Sequence, residues 1–341
     1  MLARSSTIAA LAVFATAAVA CQTGVTDTEA TPSPSSSIVG ALPVETLSAL
    51  FDNLRGGVLY GLIGPIGSGN VWMLDLDKRV ATQLTHNPEQ YGISNFDASP
   101  AGLVLGDAAS GIDMVTVYRD SRAEDIVPGG LNAGDPAISS TGDVAFVGIP
   151  DDDPHTNDSW QILTMPVDGG VPELLYEQRG PDLSVLDLGG LAWGSDGRLA
   201  VVSAPGERFG KGTPELLVID ESGNVELRVR AASVREFNFV AWNQRAPGIA
   251  IGNVAGDAAL VGLDGNESPL VQGWAPQCWA PDGSALLVTQ QEYFGLALVG
   301  QVKVGIWRPQ HADRVDQIVE MPLYSALWGC SWLDTAAAHT T

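Results

Sequence analysis

The chain contains 341 residues, of which 45% are hydrophobic and 17% are charged, and its formal net charge at pH 7 is -23. This hydrophobic content is enough for a folded core and excludes a chain that is disordered throughout. The 17 Lys and Arg residues, against 40 Asp and Glu residues, exclude a general nucleic-acid binder because few cations are available to neutralise phosphates. The three cysteines are too few for a small disulfide-stabilised scaffold.

The N-terminal residues have the pattern of an export signal. Arg4 supplies a positive charge before the apolar residues 8–20, which read IAALAVFATAAVA. This run is shorter than the roughly 18 to 20 apolar residues that cross a bilayer as a helix. We therefore predict a signal peptide over residues 1–20 rather than a transmembrane helix.

The signal ends in AVAC at residues 18–21, which resembles the lipobox of bacterial lipoproteins, although Ala18 stands where that motif usually has leucine. The resemblance implies that Cys21 receives a diacylglyceryl group and becomes the mature N-terminus. The alternative is cleavage at an ordinary Ala-x-Ala site, which would leave Cys21 unmodified. With lipidation, the protein would lie outside the cytoplasm, held to a bacterial membrane only by the acyl chains on Cys21, on the periplasmic side or at the cell surface.

Two segments are predicted to lack a fixed structure. Residues 21–42 are rich in Ser, Thr and Pro and show no apolar periodicity. Such a segment buries too little apolar surface to offset its ordering entropy, so we predict a flexible tether behind the lipidated cysteine. Residues 335–341 are predicted to be a disordered tail.

Short strand-like runs separated by Gly, Pro and Asp fill the chain from about residue 55, which predicts an all-β domain. Five segments repeat one plan, in which an apolar or Trp anchor is followed by a polar turn, a glycine and an alternating apolar strand. A glycine at this point can take positive φ without steric cost and close a tight hairpin. The five turn glycines are Gly102, Gly142, Gly197, Gly248 and Gly283.

The two ends of the repeat region each hold part of a sixth unit. Residues 55–62 form a strand with no anchor strand before it, and residues 329–334 form an anchor strand with nothing after it. Pairing these terminal strands would complete a six-bladed β-propeller over residues 43–334, built of four-stranded antiparallel blades. Closure would also remove an exposed sheet edge. A β-sandwich is the structural alternative, but it does not predict a repeated anchor.

Several anchors resemble the repeats of TolB-type propellers. They are W-G-S-D-G at residues 193–197, W-A-P-D-G at residues 279–283, and the strand–turn–strand LDLDKRVATQLTHNP at residues 74–88. The resemblance covers residues 55–334 and implies the same fold, with envelope-associated protein binding as the expected function. Ala98 and Ile138 stand at anchor positions where the family prefers Trp. Repeat motifs report blade packing, so the family's specific contacts do not carry over.

One face of the predicted propeller is expected to bind a partner. The loops between second and third strands, and those between blades, open on the same face, where ligands usually bind. The longest second-to-third loops begin at Gly148, Ser203 and Thr289. The candidate residues for this binding face are Tyr91, Arg208, Phe237, Trp274, Tyr293, Phe294 and Tyr324.

One of these loops is acidic and contains Asp151, Asp153, His155 and Asp158. Oxygen ligands at this density could hold Ca²⁺, which makes these residues candidate metal ligands. Their spacing matches no EF-hand, and the simpler interpretation is a solvated acidic loop. No other cofactor is predicted, since the sequence has no paired Cys and His ligands for zinc and no phosphate-binding loop before a helix.

Cys278 and Cys330 lie on the anchor strands of the last and first blades, which ring closure makes neighbours. Export would place them where disulfides persist. Relative to Trp279 and Trp332, however, the two cysteines are offset by one residue. They either form a bridge that locks the ring or face opposite sides of their strands.

Two functions follow as hypotheses. The first is a non-catalytic module that binds a protein or polymer of the cell envelope, a role that includes a sensor or secretion accessory. The alternative is a hydrolase similar to propeller lactonases, with a metal at the mouth of the central channel. It would need ligands from different blades, and the candidates near strand starts are Asp97, Asp135, Asp187, Glu236 and Asn238. The sequence has no Gly-x-Ser-x-Gly nucleophile elbow.

Overall fold

The computed structural model describes most of the chain between residues 58 and 332. Residues 1–57 and 333–341 lie outside the described part, and with them the predicted signal peptide, tether and tail. The chain divides into Met1–Ser37 and Ile38–Thr341, and the second unit contains every described residue. Within that unit the following positions also lie outside the described part: 64–68, 77–79, 84–92, 100, 108–113, 120–121, 126–130, 151–158, 180–187, 204–214, 231–233, 235–238, 247, 254, 292, 295–296, 299–300 and 324–325.

The described residues form β-strands throughout, with one 3₁₀ turn at Pro309–His311. The first eleven strands are β1 (Val58–Ile63), β2 (Gly69–Asp75), β3 (Val80–Gln83), β4 (Ile93–Ser99), β5 (Gly102–Asp107), β6 (Met114–Arg119), β7 (Arg122–Asp125), β8 (Leu131–Ile138), β9 (Asp143–Pro150), β10 (Ser159–Pro166) and β11 (Glu173–Arg179). The next eight are β12 (Leu188–Trp193), β13 (Leu199–Ser203), β14 (Glu215–Ile219), β15 (Val225–Arg230), β16 (Phe239–Trp242), β17 (Ile249–Gly252), β18 (Ala258–Val261) and β19 (Glu267–Pro269). The last seven are β20 (Ala275–Trp279), β21 (Leu286–Gln290), β22 (Tyr293–Phe294), β23 (Ala297–Leu298), β24 (Gln301–Trp307), β25 (Val315–Leu323) and β26 (Ala326–Trp332).

All of these strands except β22 and β23, which pair with each other, form six four-stranded antiparallel sheets that we number as blades 1 to 6. In order from the innermost strand outward, the blades are β26-β1-β2-β3, β4-β5-β6-β7, β8-β9-β10-β11, β12-β13-β14-β15, β16-β17-β18-β19 and β20-β21-β24-β25. Each innermost strand contacts the innermost strand of both neighbouring blades, including β20 with β26 and β26 with β4. The contacts therefore run around a complete circle, and the predicted six-bladed propeller is confirmed.

Blade 1 joins the two ends of the domain. β26 pairs antiparallel with β1, with Val58 opposite Trp332 and Tyr60 opposite Cys330. The predicted pairing of terminal strands is confirmed, with β1 running one residue further than expected, to Ile63. The strands β1, β2 and β3 of this blade come from the N-terminal end of the domain, and β26 comes from its C-terminal end. The ring consequently closes through main-chain hydrogen bonds.

Burial in blade 4 is greatest in its two middle strands. In blade 4, β13 and β14 are buried at every residue, whereas the outermost strand β15 alternates between partly buried and exposed. Strands in the middle of a blade are covered on both faces by neighbouring blades, which explains their continuous apolar runs. The apolar core accordingly lies between the blades, in clusters such as Ala200, Leu216, Trp242 and Ile251 between blades 4 and 5.

Three of the five predicted turn glycines have positive φ. Gly142, Gly197 and Gly283 have φ values of 94°, 82° and 72° and close the turn between first and second strands. Gly248 does not have positive φ. The turn before it is organised instead by Asn243, whose Oδ1 accepts the N–H groups of Arg245 and Ala246.

Gly102 pairs directly with Ser99 as the first residue of β5. Here the Ser99 hydroxyl accepts the Ala101 N–H at 3.1 Å and supports the turn. The expectation of a left-handed glycine was therefore wrong at Gly248, where a polar side chain organises the turn.

A side-chain link joins the inner strands at every seam between blades. The indoles of Trp193 and Trp279 donate to main-chain carbonyl groups of the preceding blade. The links are Ser331 Oγ to Asp97 at seam 1–2 (2.7 Å), Ile138 N to Asp97 at seam 2–3 (3.0 Å), Trp193 to Ala137 O at seam 3–4 (3.2 Å), Gln244 to Trp193 O at seam 4–5 (2.6 Å), Trp279 to Ala241 O at seam 5–6 (3.2 Å), and a disulfide between Cys278 and Cys330 at seam 6–1.

The disulfide lies on β20 and β26, with 5.5 Å between the Cα atoms of Cys278 and Cys330. Pairing shifts by one residue beside each cysteine, between Pro276 and Cys278 on β20 and opposite Tyr60 and Leu62 on β26. A bulge interrupts the alternation of side chains along a strand, so the one-residue offset in sequence does not keep the sulfur atoms apart.

Removing this bridge should lower the free energy of unfolding. For a sequence separation of 52 residues, the loop-entropy relation gives about 4 kcal/mol for the pair Cys278→Ser and Cys330→Ser. Urea unfolding of the double variant, followed by tryptophan fluorescence, measures this loss. Cys21→Ser is the matched control, since it removes the remaining cysteine and should leave the unfolding midpoint unchanged; equal midpoints for all three proteins would contradict a stabilising bridge.

Candidate functional site

Strand register defines two unlike faces of the propeller. In blade 4, Leu188 pairs with Ser203, Ser203 with Glu215, and Glu215 with Arg230, so these four residues lie at one end of the sheet. The connections that leave this end join second to third strands and one blade to the next. We call it the long-loop face, and the tight turns after first and third strands lie on the opposite face.

Blade 6 carries an added element on the long-loop face. The connection from β21 to β24 contains the two-stranded hairpin of β22 and β23, in which Tyr293 pairs with Leu298. In blade 5 the same connection is a short turn, closed by a hydrogen bond from Asn253 N to Asp257 O at 3.0 Å. The face is therefore built unequally around the ring, as the loop lengths predict.

Of the other predicted binding-face and metal-loop residues, one is partly buried and the rest lie outside the described part of the chain. Trp274 is partly buried and packs against the core cluster of blades 5 and 6 that includes Trp279 and Trp307. The remaining candidates lie outside the described residues: Cys21, Tyr91, Asp151, Asp153, His155, Asp158, Arg208, Phe237 and Tyr324. No group of three or more metal-ligating side chains occurs in the part of the chain that the structure describes.

Asp97, a candidate ligand at the channel mouth, joins three blades. Its Oδ1 accepts hydrogen bonds from the Ser331 hydroxyl of blade 1 at 2.7 Å and from the N–H of the next residue, Ala98, at 2.8 Å. Its Oδ2 accepts the Ile138 N–H from blade 3 at 3.0 Å. Ser331 in turn accepts the Ala98 N–H at 2.8 Å. Both carboxylate oxygens are thus used to hold neighbouring inner strands together.

Burial raises the pKa of the Asp97 carboxyl above its ordinary value, while hydrogen bonds from Ile138, Ser331 and Ala98 act in the opposite direction. Asp135 lies nearby on β8 and accepts the Asn95 side-chain amide at 3.3 Å. It has φ of 47°, in the left-handed region, where pairing between β8 and β9 shifts register. The other proposed ligands, Asp187, Glu236 and Asn238, lie outside the described residues.

Sequence reasoning missed the structural role of Asp97, although a signal was present. The position before the anchor residue is Ala137, Ala192 and Ala241 in three other blades. A carboxylate among alanines at a buried repeat position indicates a specific hydrogen-bond partner. The partner Ser331 is more than 230 residues away in sequence, so only ring closure reveals it.

A second buried carboxylate lies on the long-loop face of blade 4. Glu215 is 2% exposed and forms ion pairs with Arg228 and with Arg230, the latter at 2.8 Å. The Arg228 side chain also approaches the Tyr176 hydroxyl of blade 3 at 3.5 Å. These contacts orient two exposed guanidinium groups at the outer part of seam 3–4.

Comparison with solved structures identifies the architecture. At probability 1.00, the chain is similar to TolB from Acinetobacter baumannii, with TM-score 0.56 and 16% identity over 81% of this chain and 66% of that chain. The chain has the TolB-type propeller fold. A TolB described as putative, from Agrobacterium tumefaciens, gives TM-score 0.51 and 12% identity, covering 82% of this chain and 99% of that chain.

The same TolB-type propeller is similar to a chain of a nidogen/laminin complex, with TM-score 0.57 and 12% identity over 82% of this chain and 98% of that chain. No family model matches the sequence, and no curated protein matches it. Likeness at these identities establishes the fold alone. Among the residues that the structure describes, no helix has the length and apolar character needed to cross a bilayer.

Asp97→Asn should destabilise the propeller by about 1–3 kcal/mol, because an amide nitrogen would replace one acceptor and face a main-chain or hydroxyl donor. The raised pKa means that the Asp97 contribution is largest below its ordinary value of 3.8 and declines as pH rises through the folded-state pKa. Urea unfolding of the wild type and of Asp97→Asn over a pH series measures the loss of stability. The same series shows whether the decline with rising pH is absent from the variant.

Asp282→Asn is the matched control, because the contribution of Asp282 to stability should change with pH in the opposite direction. Hydrogen bonds from Ser284 hold the pKa of Asp282 below its ordinary value, so its contribution is present above that value and is lost on acidification. Unchanged stability and an unchanged pH profile in Asp97→Asn would refute the inter-blade role.

Proposed function

We propose that this TolB-type propeller is a non-catalytic binding module of the cell envelope that recognises a protein partner through its long-loop face. The observation that carries the proposal is the inequality of the two faces. Among the described residues, the opposite face has short hydrogen-bonded turns, whereas the long-loop face bears the β22–β23 hairpin. The connections on the long-loop face that begin at Gly148, Ser203 and Thr289 are also the longest in sequence. Elaborated loops on a rigid scaffold are where binding residues concentrate.

The channel mouth supports a binding role over a catalytic one. A metal-dependent hydrolase would need Asp97 to offer an oxygen to the metal, but both of its oxygens accept hydrogen bonds from blades 1, 2 and 3. Withdrawing them would leave the Ile138 N–H and the Ser331 hydroxyl without an acceptor and would weaken two seams. The described geometry therefore favours a structural duty for this carboxylate.

Two further features are consistent with a protein partner. One of the similar structures is a nidogen/laminin complex, so a chain with this fold takes part in a protein–protein assembly. The formal net charge of -23 favours basic partner surfaces and speeds their approach at low ionic strength.

The membrane attachment is part of the same proposal. The signal-like residues 1–20 and the AVAC motif ending at Cys21 support export and lipidation. Two or three acyl chains would hold the protein firmly at a bilayer surface. The Ser/Thr/Pro-rich residues 21–42 would then let the propeller reach partners beside the membrane.

Cys21→Ser should move the protein from the membrane to the soluble extracytoplasmic fraction, since serine offers no thiol for acylation. Cell fractionation and metabolic labelling with a radioactive fatty acid measure this change. Thr23→Ser, a comparably small change two residues later, should remain labelled and membrane-bound. A Cys21→Ser protein that still sediments with membranes, or a wild-type protein that takes up no label, would refute the anchor.

Photo-crosslinking tests the binding face in the intact protein on its own membrane. p-Benzoyl-phenylalanine at Tyr293, on the hairpin, should give a discrete adduct with one envelope protein. The same group at Glu221, an exposed turn residue on the opposite face, is the matched control and should give none. Equal adducts from both positions, or no adduct from Tyr293, would count against the long-loop face.

A further inference from the structure

A cleft opens at the outer part of the seam between blades 6 and 1, on the face of tight turns. Its volume is about 430 Å³, and its apolar lining comes from Leu76, directly after β2 of blade 1, and from Ile306 and Ile318 of blade 6. These three side chains belong to or pack against the core cluster of this seam, so the cleft uncovers an edge of the apolar core. The ion pair of Arg308 and Asp316, at 2.6 Å, forms part of the rim.

The N-terminal end of the described chain lies beside this cleft. β1 begins at Val58, which pairs with Leu74 of β2. Leu74 belongs to the same core cluster, and Leu76 follows it by two residues in the direction of the tight turns. Paired strands lie about 5 Å apart and two residues span at most about 7 Å. The chain therefore enters the propeller within about 10 Å of the cleft lining.

The segment that precedes β1 has the sequence pattern of an amphipathic helix. Residues 43–57, which lie outside the described part of the chain, read PVETLSALFDNLRGG. Pro43 suits the first position of a helix, and Gly56 suits the position after its last residue. On a helical wheel, the apolar residues occupy one stripe about 120° wide. They are Val44, Leu47, Leu50, Phe51 and Leu54.

Such a helix needs an apolar surface to pack against. A helix of this length is marginal in water on its own, and each large apolar side chain that becomes fully buried contributes about 1.5–3 kcal/mol. Gly56 and Gly57 let the helix end no more than about 10 Å from Val58. Among the described residues, the exposed large hydrophobic side chains are Val171 and Leu174 of blade 3, which blade 2 separates from β1. The cleft at seam 6–1 is therefore the apolar surface within reach.

We propose that the cleft at seam 6–1 is the docking site of residues 43–55 of the same chain, which lie across it as a helix. Leu47, Phe51 and Leu54, with Leu50, have the i, i+3, i+4 and i+7 spacing by which an amphipathic helix fills an apolar groove. A helix over residues 43–55 is about 20 Å long, enough to extend from β1 across the outer strands.

Docking there determines where the tether leaves the propeller. Val58 and the cleft both lie at the face of tight turns. The segment that leads back to Cys21 would accordingly leave from that face, and the long-loop face would stay uncovered for a partner.

Photo-crosslinking tests the docking in the full chain on its own membrane. p-Benzoyl-phenylalanine at Phe51, within the apolar stripe, should form an adduct inside the same molecule, which mass spectrometry should map to the Leu76 turn, β24 or β25. The same group at Ala49 is the matched control. Ala49 lies on the opposite side of the helix, so it should give at least fivefold less of this adduct.

Two variants carry the test from the helix and from the cleft. Leu47→Asp places a charge in the stripe without altering the propeller and should lower the yield of the Phe51 adduct at least fivefold. Leu76→Asp should have the same effect from the cleft side. Leu174→Asp is the matched control, at a leucine of β11 that is 55% exposed, and should leave the yield unchanged. Urea unfolding verifies that each propeller is folded, and Leu47→Asp decides the test if Leu76→Asp does not fold.

Several results would overturn the docking. A Phe51 adduct with lipid would place the segment on the bilayer, and an adduct with a second copy or another protein would assign its apolar stripe to a different surface. Equal adducts from Phe51 and Ala49, no adduct from Phe51, or a yield that Leu47→Asp leaves unaltered would overturn it as well. The crosslink from Tyr293 reports on the other face, so the docked helix and the proposed protein partner fail separately.

Discussion

Pairing between β1 and β26 is the constraint on which the rest of the structure depends. Each blade can bury the faces of its middle strands only if a neighbour covers both sides, and a row of blades leaves two uncovered ends. Joining Val58 to Trp332 across one sheet removes both ends together. The cost is loop-closure entropy over nearly the whole domain, which is offset by burial along every seam.

The repeated backbone is held by a set of links that is not itself repeated. Indoles, a glutamine, a carboxylate with a serine, and a disulfide serve different seams. A repeated scaffold needs only that each seam be filled and its polar groups satisfied, so different residues meet the same requirement. Asp97 illustrates the consequence, because a charged residue near the channel acts as a structural tie between three blades.

Within the described residues, seam 3–4 has hydrogen-bonded polar groups in its inner part and unpaired ones in its outer part. Trp193 donates to Ala137 O near the channel, whereas Trp160, on an outer strand of the same seam, has no acceptor within the described residues. The unsatisfied groups lie at the long-loop face, where binding is proposed, and not on the face of short turns.

The sequence by itself determined the architecture, since six copies of one anchor with complementary terminal strands are compatible with few other arrangements. It also indicated which face carries the long connections, because loop length is a property of the chain. It did not determine the tie between Asp97 and Ser331 or the cleft that Leu76 forms with Ile306 and Ile318, because these residues are distant in sequence and lie on different blades. Nor could spacing alone decide whether Cys278 meets Cys330, because bulges in β20 and β26 alter the alternation. Such contacts depend on register and on packing between blades, and those become defined only when the ring is closed.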